Sequence, residues 1–161
     1  MKRLTDISNN VTRMLTARGI AFKAFELPAE KLSALEAAAL LGVEAHLVYK
    51  TIVVLREKPG KPLLVVVPGP HEVDLKAVAR AIGEKKVHLA TQREAEQLTG
   101  LQTGGISPLA LIQHGFQVLV DSTAQSLPEI YISGGQRGLN VCLLAQDLAS
   151  LTNARFASIS A

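Results

Sequence analysis

Two apolar runs joined by a tight turn constrain this chain more than any other feature. Residues 46–55 read HLVYKTIVVL and residues 62–68 read PLLVVVP, with Lys-Pro-Gly between them. Both are rich in β-branched residues and of strand length. In the first run, alternation puts Val48, Lys50, Ile52 and Val54 on one face and Tyr49, Thr51, Val53 and Leu55 on the other. Neither face is polar, so the strand is expected to be covered on both sides. A lysine in that setting must snorkel to water, meet an anionic partner or serve a site.

The flanking sequence alternates between helix and strand signals. Residues 6–18 place Ile7, Val11, Met14 and Leu15 on one helical face, with Asp6 as the expected cap and Gly19 as the stop. A short strand is expected in IAFKAFEL. Ser33 and Glu36 form a capping box opening a helix that Gly42 closes, and Thr91 and Glu94 form another. Asp74 and Gly83 bracket a further helix, and KKVHLA reads as a short strand. After the aperiodic TGLQTGGISPLAL come strand signals in FQVLVD, EIYIS and LNVCLL, a short helix in AQDLASLTN and a last strand in ARFASIS. Hairpin-like connections among these predict an antiparallel or mixed sheet with helices packed around it, not a doubly wound parallel fold.

Three stretches carry chemistry. Lys50 offers a localised cation in an apolar wall, able to hold a phosphate or stabilise developing negative charge. In TGGISP, residues 103–108, Gly104 and Gly105 let the backbone approach a ligand closely, and Pro108 biases Ser107 towards an extended conformation. In YISGGQRGLNV, residues 131–141, a glycine-rich hairpin places the hydroxyl of Ser133 and the guanidinium of Arg137 beside exposed N–H groups that can hold an acyl or phosphate oxygen. Each has a plainer reading: a snorkelling lysine, a connecting loop and a tight turn.

Other chemistries lack their signatures. TGGISP has no Lys-Ser/Thr pair after its glycines, so it is not a P-loop, and neither G-x-G-x-x-G nor G-x-S-x-G occurs. The four histidines are scattered without metal-ligand spacing, so no metal and no cofactor are expected. The single cysteine, Cys142, excludes an internal disulfide, fits a reducing cytoplasm and reads as a small core residue. With 161 residues the chain is expected to form one domain, residues 1–161, and with no Trp its core must be largely aliphatic. No run approaches the roughly 18 apolar residues of a membrane span. A formal charge of +3 permits a polyanionic partner.

Taken in order, VYKTIVV, GGISPL and ISGGQRGLNV resemble the YbaK/EbsC family, which is related to the editing insertion domain of bacterial prolyl-tRNA synthetase. The resemblance runs from about residue 11 to about residue 157. It implies an α/β (α+β) single domain with a mixed, barrel-like β-sheet surrounded by helices. It also implies trans-editing, the hydrolysis of the ester joining a wrong amino acid to tRNA, with Cys-tRNA(Pro) or another small amino acid on tRNA as substrate. The partners implied are aminoacyl-tRNA and prolyl-tRNA synthetase; no membrane is implied, and the oligomeric state stays open.

By the same resemblance, Lys50 matches the family's essential lysine, which grips the terminal adenosine end of the tRNA, and Tyr49 and Thr51 flank it. Gly104, Gly105, Ile106, Ser107 and Pro108 match its Gly-x-x-x-Pro loop at the acyl and ribose end. Ser133, Gly134, Gly135 and Arg137 match the second pocket loop. Cysteine-specific relatives carry an aspartate where this chain has Asn140, an aromatic near Ser33, and a pocket tyrosine for which Phe25 stands in without the hydroxyl. These departures fall where the amino-acid side chain is read. The expected mechanism orients the ester and stabilises its oxyanion without a protein nucleophile. Lys2, Arg3, Arg13, Arg18, Lys76, Arg80, Lys85 and Lys86 are candidate phosphate contacts. The alternative is a non-catalytic module that binds nucleotide or the tRNA acceptor end within a complex.

Overall fold

The hairpin of residues 49–68 forms the centre of the molecule. The structure is a computed structural model that describes residues 4–161, so Lys2 and Arg3 lie outside the described residues. In chain order the elements are α1 (Asn10–Ala17), β1 (Phe22–Glu26), α2 (Ala34–Leu41), β2 (Tyr49–Arg56), β3 (Leu63–Pro68), α3 (Leu75–Ile82) and β4 (Val87–Leu89). Then follow α4 (Gln92–Thr99), β5 (Gln117–Asp121), β6 (Ile130–Ser133), β7 (Leu139–Leu143), α5 (Ala145–Thr152) and β8 (Arg155–Ala157).

Every residue of β3 is buried, as a run apolar on both faces requires. Leu64 and Val66 enter a core shared with β6, β7 and α5, while Leu63, Val65 and Val67 pack against Ala77 and Val78 of α3. At about 1.5–3 kcal/mol for each fully buried aliphatic side chain, this hairpin supplies much of the stabilisation. It heads a five-stranded mixed sheet in the order β4-β2-β3-β5-β8. The β2–β3 and β2–β4 pairs are antiparallel, whereas β3–β5 and β5–β8 are parallel.

A second, antiparallel sheet has the order β1-β7-β6. Ile130, Ile132, Leu139, Val141 and Leu143 turn to the shared core, and Phe25, Tyr131 and Cys142 turn to Ala37, Ala38 and Leu41 of α2. A parallel bridge between Val48 and Tyr131 joins the two sheets. The fold is therefore the mixed α/β single domain that the sequence predicts, its barrel-like sheet built as two sheets that do not close into one barrel.

The capping boxes at Ser33 and Thr91 form as expected, and Gly42 and Gly83 take left-handed conformations at their helix ends. Helix α1 is a correction. It starts at Asn10 and not near Asp6, because Asn9 and Thr12 form a reciprocal box: the Asn9 side chain accepts from the Thr12 N–H, and Thr12 Oγ1 accepts from the Asn9 N–H.

Candidate active site

Lys50 lies at the start of β2, beside a cleft of about 510 Å³ between α2, β2 and the glycine segments. Tyr49, Lys50, Thr51, Gly104, Ile106, Ser133 and Asn140 all line it. Lys50 is 25% exposed, and its Nζ stands 4.0 Å from Oε1 of Glu72. The apolar stem thus stays packed while the ammonium reaches the open cleft.

Several expected site residues support the cleft from behind. Tyr49 contributes to the wall, but its hydroxyl leaves on the core side and donates to Thr123 Oγ1 at 2.8 Å; Thr123 in turn donates to Asp121 Oδ2 at 2.6 Å. Burial pushes the Tyr49 pKa up. Ser107 is fully buried and its Oγ accepts from the Leu109 N–H, capping the short 3-10 turn that Pro108 opens. Phe25 pairs with Asn140 across β1 and β7 and is buried against Tyr131, with ring centroids 5.8 Å apart. Phe25 therefore lies beside Asn140 on the same face of the sheet, buried and outside the cleft lining.

The two glycine segments touch each other. A Cβ on Gly105 would lie 2.8 Å from the Arg137 nitrogen and the Gln136 carbonyl carbon. Gly134 has no room either, since a Cβ there would lie 2.6 Å from Leu139 Cγ. Gly135 has φ +93° and lies against Val11 and Ala110. Arg137 does not present its guanidinium to the cleft: its Nε donates to the Thr103 carbonyl at 2.7 Å and clamps the segments together. The Thr103 N–H donates to Glu96 Oε2 of α4 at 2.8 Å, the main reason the Glu96 carboxyl sits below its usual range. Asn9 braces the other side, donating through Nδ2 to the Gly134 carbonyl at 2.9 Å.

Near the floor, Ser133 and Asn140 are cross-strand neighbours. Ser133 Oγ accepts from the Gly135 N–H at 3.2 Å. Asn140 is 6% exposed, and its Oδ1 has no hydrogen-bond partner among the described residues. Thr103 Oγ1, also in the lining, is buried beside the Glu96 carboxylate. A buried acceptor in the state of Asn140 Oδ1 is rare in folded proteins and calls for an explanation.

The wall also includes residues that sequence reasoning missed. Gly69 packs so closely that a Cβ would lie 2.8 Å from Ala34 Cβ. Leu32, Ala34 and Leu35 carry the α2 side, and Lys31 reaches Gln92 at 2.6 Å. The Gly-Pro at 69–70 was a possible signal, because such a pair after a buried strand marks a close-packed turn. Among the described residues, no histidine or cysteine lines the cleft. Cys142 is buried beside Tyr131, and burial pushes the two up to about 11 and about 12 respectively. Among the described residues, no group of three His, Cys, Asp or Glu is placed to hold a metal ion. Nor is any helix among them long and apolar enough to cross a membrane.

A family model described as the aminoacyl-tRNA editing domain matches residues 29–151, which include most of this cleft. The chain belongs to the aminoacyl-tRNA editing domain family. This editing domain is 35% identical over 161 residues to a proposed Cys-tRNA(Pro)/Cys-tRNA(Cys) deacylase, EbsC, of Enterococcus faecalis, covering 99% of this chain and 97% of that one. It is also 35% identical over 109 residues to the proline–tRNA ligase of Thermodesulfovibrio yellowstonii, covering 67% of this chain and 18% of the ligase. Among solved structures, that of hypothetical protein APE2540 superposes with a TM-score of 0.86 at 30% identity, covering 95% of this chain and 100% of that one. A proposed trans-editing enzyme for prolyl-tRNA synthetase gives 0.78 at 29% identity, covering 97% and 99%. The resemblance read from three short motifs thus extends over the whole editing domain.

Proposed function

We propose that this editing domain hydrolyses the ester of a mischarged aminoacyl-tRNA, and that its substrate is tRNA for proline bearing cysteine or another small amino acid. The observation that carries this reading is the meeting of Lys50, the Gly104 loop and the Ser133–Asn140 floor in one cleft, in a chain whose relative is the proposed deacylase EbsC.

Lys50 supplies the cation for the terminal phosphate or ribose of the acceptor end. The N–H groups of Gly104 and Ile106, which have no acceptor among the described residues, are the donors for the oxyanion. One such donor is worth about 3–4 kcal/mol of barrier. Water attacks the acyl carbon, the bond to the ribose oxygen breaks, and that oxygen takes up the proton the water gives up, leaving the free amino acid and a tRNA hydroxyl. Holding the ester in place does much of the remaining work. The chemistry is routed through water and not through a protein nucleophile, since among the described residues no histidine or cysteine lines the cleft. Asn140 and Ser133 read the amino-acid side chain, and a neutral amide at residue 140 favours an uncharged one. Lys76, Arg80, Lys85 and Lys86 are all exposed and meet tRNA phosphates. Prolyl-tRNA synthetase is the proposed partner that contributes to tRNA choice.

The test is a panel of cysteinyl, alanyl and seryl esters on tRNA for proline. At least one should be hydrolysed well above its spontaneous rate. Tight binding with no turnover of any ester, by folded protein, would replace this reading with that of a binding module.

A further inference from the structure

The rim of the cleft carries two opposite charges that touch only loosely. Lys50 Nζ and Glu72 Oε1 are 4.0 Å apart, and the Glu72 side chain is 88% exposed. Yet the backbone of Glu72 is pinned. Its N–H donates to the Ala161 carbonyl at 3.2 Å, and its carbonyl accepts from the Ala161 N–H at 2.9 Å. On either side, His71 Nδ1 meets Ser160 Oγ at 3.2 Å, and the Asp74 N–H donates to the Ile159 carbonyl at 2.8 Å. The carboxylate is therefore held at its root, with its tip over the cleft. Glu36, also in the lining, is engaged in its capping box, where its Oε1 accepts from the Ser33 N–H at 2.9 Å. Deeper in the same cleft, Asn140 Oδ1 is buried without a partner among the described residues. An acceptor left in that state points to a ligand that brings a hydrogen-bond donor.

An aminoacyl ester on a nucleotide carries a phosphate and, on the carbon next to the acyl carbon, an α-ammonium with three donors. We propose that Glu72 recognises this free α-ammonium while Lys50 takes the phosphate, so that the cleft selects esters whose amino group is unblocked. This rests on the deacylase reading above. A water-exposed pair at 4.0 Å is strongly screened, so exchanging it for two contacts with the substrate costs little. Substrate that covers the cleft excludes water and strengthens both new contacts.

The experiment compares an aminoacyl-tRNA with the same molecule acetylated on its α-amine, each rate being divided by its spontaneous rate. The wild-type protein should prefer the free amine by about tenfold in kcat/KM, the size of one charge-assisted hydrogen bond. Glu72→Gln should bring that preference within about twofold, with the loss falling on KM for the free-amine substrate. Glu72→Asp should restore part of it, and Glu30→Gln, at another carboxylate of the lining, should keep it. Thermal melting checks that each variant is folded. If the wild type hydrolyses both esters equally, the inference fails and the editing reading stands. Equal losses on both esters in Glu72→Gln would make the residue a mere neighbour of Lys50, and loss of preference in Glu30→Gln would move the role there; either result overturns the assignment. If folded wild-type protein hydrolyses neither ester, the editing reading fails and takes this inference with it.

Discussion

Strand β2 carries a basic residue at each end, and each faces a glutamate beside helix α3. At one end Arg56 grips Glu84, with Nε and Nη2 at 2.6 and 2.5 Å from the same oxygen and the glutamate side chain only 3% exposed. At the other end Lys50 and Glu72 stand 4.0 Å apart in the open. At the Arg56 end the glutamate is buried, and the planar fork spends itself on the protein. The Lys50 end leaves a compact cation unspent at a cleft. One strand thus contains a structural ion pair and a pair available for exchange, distinguished by burial and fit and not by residue type alone.

The largest expected effect breaks the closed pair. Arg56→Ala leaves a buried carboxylate without its partner and should cost about 3 kcal/mol or more in urea unfolding. Lys50→Ala should do the reverse. Its stability should stay within about 0.5 kcal/mol of wild type, because an exposed pair contributes little, while its deacylation rate falls about 100-fold, as for loss of one transition-state donor. Equal activity in that variant would remove Lys50 from the site. Gly105→Ala probes the support behind the open end. Its Cβ must push the 136–137 backbone away, and a cost of about 1–3 kcal/mol together with reduced turnover is expected. The smallest effect comes from salt. Raising ionic strength from about 0.1 M to about 1 M shortens the screening length from about 10 Å to about 3 Å. It should raise KM for tRNA several-fold yet leave the cost of Arg56→Ala nearly unchanged, and a strong salt dependence of that cost would erase the contrast between the two ends.

The fold was legible wherever the signal is short-range. The boxes at Ser33 and Thr91 join residues three apart, and the αL stops at Gly42 and Gly83 need only their own helix. At α1 two capping residues competed within a few positions, and the winner, Asn9, also bonds Gly134, 125 residues away. No local pattern encodes that second bond.

What the sequence determined by itself was the buried hairpin, the exceptional lysine within it, the two glycine segments and the family they identify. Alternation, caps and backbone freedom are properties of neighbouring residues, so they can be read in line. Only the tertiary structure decided that Arg137 clamps Thr103 across 34 residues, that Phe25 sits beside Asn140, and that Glu72 is held over the cleft by Ala161. Those outcomes depend on which surfaces the two sheets bring together. Packing of that kind is set by the whole core at once, and no short window of residues contains it.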